Sequence, residues 1–250
     1  MQVLDRKVRV VPMAGTRAQV RSLLRALLAH DQTSVCQIMG LALAVKGQRV
    51  AIISDLVQAA VSALDDLWYR GEIRASDEEW AIGTLLDGAE TMPGTPSISP
   101  VPPGSRIVLA GLGQEQHGIG LGLLGMALED DGWDVAQLGP ETPPERLLEV
   151  ATQPRADVVG VSASYLPQPG RLAQVLAPIK ARRIKVMVGG QAFGRVHGLW
   201  QLVGADGYGV DARAGVAMAR RLLPASRRTV LVVSEKPALP AGSVTSPEQS

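Results

Sequence analysis

The chain has 250 residues, a formal net charge of +1 and 20% charged residues, so it lacks the basic excess of a dedicated nucleic-acid-binding protein. No apolar run reaches the length of a membrane-spanning helix, and the first twelve residues lack the apolar stretch of a signal peptide. The single cysteine, Cys36, excludes an intramolecular disulfide and fits a reducing compartment. We therefore expect a cytoplasmic protein with neither a membrane nor a direct nucleic-acid partner.

The N-terminal third of the chain has a helical pattern. After a polar lead-in at residues 1–16, residues 17–90 place apolar side chains with the period of amphipathic helices. The third of four predicted helices runs from Val50 to Trp68 and is followed by Gly71, a typical C-terminal glycine. Ser76 and Glu79 form a capping-box pattern that predicts the start of the fourth helix. Four short helices of this kind predict an all-α four-helix bundle.

The pattern changes after a stretch rich in proline and glycine at residues 91–105, which we interpret as an interdomain linker. Strand and helix patterns alternate over residues 106–235, which predicts an α/β, Rossmann-like (flavodoxin-like) domain with a parallel sheet and right-handed crossovers. This region includes a predicted helix at 193–202 and an edge strand at 228–233. Residues 236–250 are predicted to be a disordered tail. In such sheets ligands bind beyond the carboxyl ends of the strands.

The loop after the first predicted strand allows two interpretations. The glycines of residues 120–125 satisfy G-x-G-x-x-G, but they fall inside the following helix, whereas a pyrophosphate site needs them at the strand-to-helix turn. The second interpretation concerns Glu115, Gln116, His117, Gly118 and Gly120, an E-x-H-x-x-G sequence in the loop itself. There a histidine can direct one ring nitrogen at a ligand while a carboxylate holds the other, and glycine lets the backbone approach closely. On this motif alone, a surface histidine with a helix-capping glutamate explains the residues equally well.

Taken with two further motifs, this loop resembles that of the cobalamin-binding domains of methyltransferases, mutases and light-sensing transcription factors. The further motifs are a serine motif after the third strand and a glycine pair after the fourth. The resemblance implies that His117 is the lower axial ligand of cobalt, that Glu115 hydrogen-bonds His117, and that the nucleotide tail enters a channel of small and hydroxyl-bearing residues. The predicted channel residues and their neighbours are Ser162, Ser164, Tyr165, Gly189, Gly190 and Gly209.

The helical segment resembles the cap of cobalamin photoreceptors of the CarH type. In that family a W-x9-E-H pattern places a tryptophan and a glutamate against the adenosyl group, and Trp68 and Glu78 match at this spacing. Glu79 replaces the family histidine, so a photoproduct with histidine on both faces of cobalt is not expected. Trp68 could alternatively be ordinary bundle core. His30, expected in an early helix, and His197, expected on the helix after Gly190, are interpreted as structural or exposed.

The resemblance leads to a functional hypothesis: a light sensor, not an enzyme, that binds adenosylcobalamin between the cap and the Rossmann-like domain. The sixteen residues before the first predicted helix are too few for the DNA-binding domain of CarH, so we expect signalling through a downstream protein partner or through a homo-oligomer of the chain. Photocobilins are similar standalone proteins that also hold a bilin, and biliverdin as a second chromophore is left open. The alternatives are a corrinoid protein that carries methyl groups for separate methyltransferases, whose loop usually has aspartate at the place of Glu115, and cobalamin storage or trafficking.

Overall fold

A computed structural model of the chain describes residues 14–46, 48–94, 101–112, 118–164 and 168–224. Its N-terminal part is helical, as predicted. The helices are α1 (Ala14–Leu28), α2 (Gln32–Lys46), α3 (Arg49–Ile52), a π-helical turn (Ile53–Val57), α4 (Gln58–Tyr69) and α5 (Ala75–Thr91). Helices α3 and α4 and the π-helical turn between them follow one another without a break, in place of the single regular helix predicted over Val50–Trp68.

The second part of the chain forms a five-stranded parallel sheet with the strand order β2-β1-β3-β4-β5, which confirms the predicted flavodoxin-like fold class. Its strands are β1 (Arg106–Gly111), β2 (Asp134–Gln137), β3 (Val158–Ser162), β4 (Lys185–Gly189) and β5 (Gly207–Tyr208). The connecting helices are α6 (Ile119–Asp130), α7 (Pro144–Thr152), α8 (Pro169–Ala181), α9 (Gln191–Arg195) and α10 (Leu199–Leu202), and α11 (Ala212–Leu222) follows β5. Near-continuous apolar runs make β1, β3 and β4 suitable for burial on both faces.

The two faces of the sheet pack against different layers. On one face, α6, α11 and the N-terminal helices share a single apolar core, in which Leu85, Ile107 and Leu128 are fully buried. On the other face, α7 to α10 enclose a second core around Val159 and Leu176. Met92 and Val101, which belong to the predicted linker, are also buried in the first core. The helical region is therefore packed directly on the sheet layer rather than tethered beside it.

Several local predictions are corrected by the structure. Helix α5 begins at Ala75, and the carboxylate of Asp77 accepts a hydrogen bond from the backbone N–H of Arg74, so the predicted capping box of Ser76 and Glu79 is wrong. The helix predicted over 193–202 is two short helices, α9 and α10, separated at Gly198, which has a φ of 76°. By contrast, Gly71 does end α4 in a left-handed conformation, with a φ of 69°.

The two histidines outside the cobalamin loop also lie elsewhere than predicted. His30 lies in the turn between α1 and α2, and His197 lies in the exposed turn between α9 and α10. The edge strand predicted at 228–233 and the tail at 236–250 lie outside the described residues. Among the helices of the described ranges, none combines the length and the hydropathy that a membrane span requires.

Candidate functional site at the carboxyl edge of the sheet

The ends of three adjacent strands bring two predicted site residues together. Gly111 of β1 is in register with Ser162 of β3, and Ser162 is in register with Gly189 of β4. The backbone pairing continues past the strand ends, since Leu112 N–H donates to the Ser162 carbonyl and Ala163 N–H donates to the Gly189 carbonyl, at 3.1 and 3.2 Å. Ser162 and Gly189 are thus neighbours at the carboxyl edge, as the order of the motifs predicts.

The loops after β3, β4 and β5 approach one another so closely that side chains would not fit between them. A Cβ atom on Gly190 would lie 2.5 Å from the carbonyl oxygen of Ala163, and Gly190 has a φ of 91°, which favours glycine. A Cβ atom on Gly189 would lie 3.2 Å from the carbonyl oxygen of Gly209, and one on Gly209 would lie 2.9 Å from the Cα atom of Gly215. The absence of side chains at these glycines therefore allows the three loops to contact one another directly at the carboxyl edge.

The hydroxyl-bearing residues at this edge remain partly accessible. Ser162 and Ser164 are both half-buried, and a hydroxyl can donate one hydrogen bond and accept others. Small residues with nearby hydroxyls fit the nucleotide tail of cobalamin, which needs room at the edge and partners for its polar atoms. This chemical fit supports a cobalamin site here.

The two ends of the predicted cobalt-binding loop also lie at this edge. Gly118 precedes the first residue of α6, and Gly120 lies in the first turn, where a Cβ atom would have nothing within 4 Å. The glycines of the G-x-G-x-x-G match lie within α6, which removes the geometry of a dinucleotide fingerprint. Glu115, Gln116, His117 and Tyr165 lie outside the described residues, so their predicted roles stay predictions. In the described ranges, no group of three or more His, Cys, Asp or Glu side chains is arranged to hold a metal ion.

The direction of α4 follows from two contacts with the sheet layer. Helices α6 and α11 both begin at the carboxyl edge and end at the amino edge, because each follows a strand. At the amino edge, Arg49 makes two hydrogen bonds of 2.7 and 2.6 Å to Asp130 at the end of α6. At the carboxyl edge, the Gln58 side-chain carbonyl accepts a hydrogen bond of 3.3 Å from the backbone N–H of Ala212. The helical segment from Arg49 therefore rises along the sheet layer toward the carboxyl edge.

The rest of α4 extends beyond this edge. Trp68 follows Gln58 by ten residues, which at 1.5 Å per residue is about 15 Å further along the helix axis. Its neighbour Tyr69 is 88% exposed and Trp68 itself is 47% exposed. Trp68 is therefore not core of the helical region, which removes the alternative interpretation of this residue.

Helix α5 extends to a similar height from an independent contact. Leu86 of α5 packs against Gly122, near the start of α6. A Cβ atom built on Gly122 would lie 3.8 Å from Leu86 Cδ2. Glu78 precedes Leu86 by eight residues and so stands about 12 Å further out. Glu78 is half-buried and Glu79 is exposed. The structure thus places Trp68, Glu78 and Glu79 in the overhanging ends of two packed helices, which we call the cap tip.

A cluster at the start of α5 was not predicted. The ring of His30 stacks on Trp80 with centroids 4.2 Å apart, and His30 Nε2 lies 3.5 Å from a carboxylate oxygen of Asp77. Hydrogen bonds from Arg74, and more weakly from His30, lower the pKa of Asp77 below its usual value. The cluster fixes the α1–α2 turn against the first turn of α5. Its sequence signal is weak, because the histidine and the tryptophan are fifty residues apart and share no motif.

The parallel sheet with this strand order defines a Rossmann-like, flavodoxin-like fold. Comparison with known proteins gives the same class: residues 105–217 match the family model of the B12 binding domain. The comparisons therefore support a cobalamin-binding domain over this part of the chain.

The individual relatives include a corrinoid protein and a transcriptional repressor. The chain is 27% identical over 179 residues to the dimethylamine corrinoid protein of Methanosarcina barkeri, a match that covers 70% of each chain. It is 39% identical over 80 residues to the HTH-type transcriptional repressor CarA of Myxococcus xanthus, covering 32% of this chain and 28% of the repressor. The chain thus spans less than a third of the repressor's length. The fold is similar to that of the monomethylamine corrinoid protein of Methanosarcina barkeri, with a TM-score of 0.65, 17% identity and coverage of 83% of this chain and 100% of that one.

Proposed function

We propose that the chain is a light sensor that holds adenosylcobalamin between the carboxyl edge of the sheet and the cap tip. The observation that supports this proposal is the height of the cap tip. Trp68 and Glu78 stand about 15 and 12 Å beyond contacts at the edge, on two helices that pack against each other. A tip at this height would leave room for a corrin ring below it, with an indole ring and a carboxylate above that ring.

Each group of residues has a distinct part in the proposal. His117 would hold the cobalt, and Glu115 would hydrogen-bond the second ring nitrogen of His117 and so fix its tautomer. Ser162 and Ser164 offer hydroxyls to the nucleotide tail. Above the ring, half of the Trp68 side chain is open to solvent, so a flat adenine can cover it and remove apolar area from water.

Light sensing requires that loss of the upper ligand changes the protein. The cofactor supplies a cobalt–carbon bond that light can cleave, while the protein orients and covers it. Loss of the 5′-deoxyadenosyl group on cleavage of this bond would remove contacts from Trp68 and Glu78 and so bias the position of the cap tip. A downstream protein or a second copy of the chain then reads this position. On this proposal the chain is not an enzyme.

A second candidate, a corrinoid protein that carries methyl groups, is favoured by one comparison. The match with the dimethylamine corrinoid protein covers 70% of that protein, whereas the match with the CarA repressor covers 28%. In this case the upper group is methyl, and a separate methyltransferase must reach it. The exposed cap tip would then serve as a cover that moves aside for that partner.

The two candidates differ in their response to light. We would load the chain in the dark with adenosylcobalamin, with and without biliverdin, and record spectra and gel-filtration elution before and after green light. A light-dependent spectrum with a shift in elution supports the sensor. Trp68→Ala should weaken adenosylcobalamin binding with little effect on hydroxocobalamin, whereas Tyr69→Ala, at the neighbouring exposed position, should change neither.

Other outcomes of these experiments would contradict or modify the proposal of a light sensor. Equal affinity for adenosylcobalamin and methylcobalamin, with no change of elution on illumination, supports the methyl carrier instead. A bilin absorption band that survives gel filtration would add a second chromophore to the sensor. Unchanged adenosylcobalamin affinity in Trp68→Ala would remove the cap tip from the site.

A further inference from the structure

We propose that Asp55 and Gln58 are positioning residues that set the height of the cap tip and thereby select the upper ligand of cobalamin. This inference rests on the proposed binding of cobalamin at the carboxyl edge. It concerns two residues that lie below the edge and that belong to none of the predicted motifs. We call their contacts with the start of α11 the cap clasp.

The cap clasp consists of one charged and one neutral contact. The Asp55 carboxylate accepts a hydrogen bond of 2.9 Å from Arg213 Nη2 of α11, and outside the clasp it accepts one of 2.5 Å from Lys46 Nζ of α2. Gln58 accepts from the backbone N–H of Ala212 at 3.3 Å. Asp55 lies in the π-helical turn and Gln58 is the first residue of α4. The clasp therefore joins the base of the overhanging helix to the first two residues of α11.

On the α11 side, the clasp is attached to the carboxyl edge of the sheet, where cobalamin is proposed to bind. Asp211 caps α11 by accepting a hydrogen bond of 2.7 Å from Ala214 N–H, and Gly209, two residues earlier, packs against Gly215 and the end of β4. These contacts fix residues 209–215 to the edge where the nucleotide tail is predicted to bind. A shift of this loop would therefore displace Ala212 and Arg213, and with them their partners Gln58 and Asp55.

The geometry gives the clasp leverage over the cap tip. Arg49 and Asp130 form a more deeply buried ion pair at the amino edge, with side-chain exposures of 11% and 14%, and this pair can act as the pivot. Gln58 is nine residues from Arg49 and Trp68 is nineteen, so a displacement at Gln58 is roughly doubled at Trp68 if the segment moves as one body. Released from the clasp, the tip moves by more than the clasp itself.

Asp55, which makes the charged contact of the clasp, lies in the π-helical turn. π-helical turns are rare and often occur at functional sites. The turn is buried on both sides of Asp55, and the hydroxyl of Ser54 is buried without a hydrogen-bond partner, a state that costs free energy. Within this turn, the Asp55 side chain is hydrogen-bonded through the clasp, whereas the neighbouring Ser54 hydroxyl is not hydrogen-bonded.

The first test measures ligand selection. Asp55→Asn and Gln58→Ala should each reduce the ratio of the affinities for adenosylcobalamin and methylcobalamin by about three- to tenfold, the range expected for loss of one net hydrogen bond or ion pair. Affinity for hydroxocobalamin, which has no large upper group, should stay the same. Asp206→Asn is the matched control, because Asp206 also has two lysine partners, Lys180 and Lys185, but lies at the amino edge of β5.

The second test needs no cofactor. Nitroxide labels at Tyr69→Cys and Gln174→Cys, in a Cys36→Ser background, report the distance from the cap tip to the far side of the sheet. Asp55→Asn should broaden or shift this distance distribution, and Asp206→Asn should leave it unchanged. An unchanged distribution, or a shifted one with an unchanged ligand ratio, overturns the positioning role. If the wild-type chain binds no cobalamin at all, the proposed function fails while the distance measurement still decides whether the clasp positions the tip.

Discussion

The two ends of the helical region differ in what holds them. At its base, Ile53, Leu56 and Leu85 are buried in the core that includes one face of the sheet, and Arg49 and Asp130 pair beneath them. At the cap tip, Trp68 and Tyr69 are 47% and 88% exposed. The same helices thus have a base that is buried in the core and a tip at which Trp68 and Tyr69 are open to solvent. Stability and ligand recognition should therefore respond to different substitutions.

Substitutions in the base should give the largest loss of stability. Leu85 is fully buried, so Leu85→Ala should lower the free energy of unfolding by about 2–5 kcal/mol through lost burial and a residual cavity. Tyr69→Ala, at the exposed tip, should change it by less than about 0.5 kcal/mol. Urea unfolding of the apo protein measures both. Equal losses of unfolding free energy in the two variants would show that the tip is packed as tightly as the base and would contradict the difference between them.

Separating the Arg49–Asp130 pair should give the next largest effect. Arg49→Ala leaves Asp130 poorly exposed and without this partner, which should cost about 3 kcal/mol, the lower end for a buried pair. Replacing both residues with apolar ones of similar size, Arg49→Met with Asp130→Leu, should recover most of this loss. If the double variant is no more stable than the single one, the pair is not the source of the effect.

The glycines at the carboxyl edge should separate folding from cofactor binding. Gly190→Ala should lower the free energy of unfolding by about 1–3 kcal/mol, because Gly190 has positive φ and Ala163 leaves no room for a Cβ atom. Gly120→Ala meets open space in the first turn of α6 and should leave the apo protein as stable or slightly more stable. If the cofactor approaches Gly120 as predicted, the same variant should weaken cobalamin binding. Unchanged binding in Gly120→Ala would remove this residue from the site.

Acid should weaken the cap clasp, with the smallest effect of the series. Partial burial raises the pKa of Asp55, but the hydrogen bonds from Lys46 and Arg213 outweigh it and hold the pKa below its usual value of 3.8. Stability from such a carboxylate is present above the unfolded pKa and is lost as the pH falls through the folded pKa. Between about pH 5 and pH 3, wild type should lose up to about 1 kcal/mol more than Asp55→Asn. If urea unfolding shows the same loss of stability in wild type and in Asp55→Asn over this pH range, Asp55 does not contribute in this way.

The sequence predicted the fold and most of the edge because their signals are local. Strand and glycine patterns place Ser162 and Gly189 directly at adjacent strand ends, and helix length alone sets Trp68 far from the base. The π-helical turn and the cap clasp could not be predicted, because Asp55 finds Arg213 only through tertiary packing. The capping box was misassigned because the helix begins one residue after Arg74, whose residue type the pattern does not include, and Asp77 makes the contact.

The most direct test of the central claim asks whether a protein histidine binds cobalt. We would label the chain with 15N-histidine, load it with unlabelled cobalamin and record the electron paramagnetic resonance spectrum of the cob(II)alamin form. A histidine ligand predicts two-line nitrogen splitting from 15N, and His117→Ala should abolish it while His30→Ala and His197→Ala preserve it. Three-line splitting from the cofactor's own benzimidazole nitrogen, or no binding of cobalamin, would contradict the account.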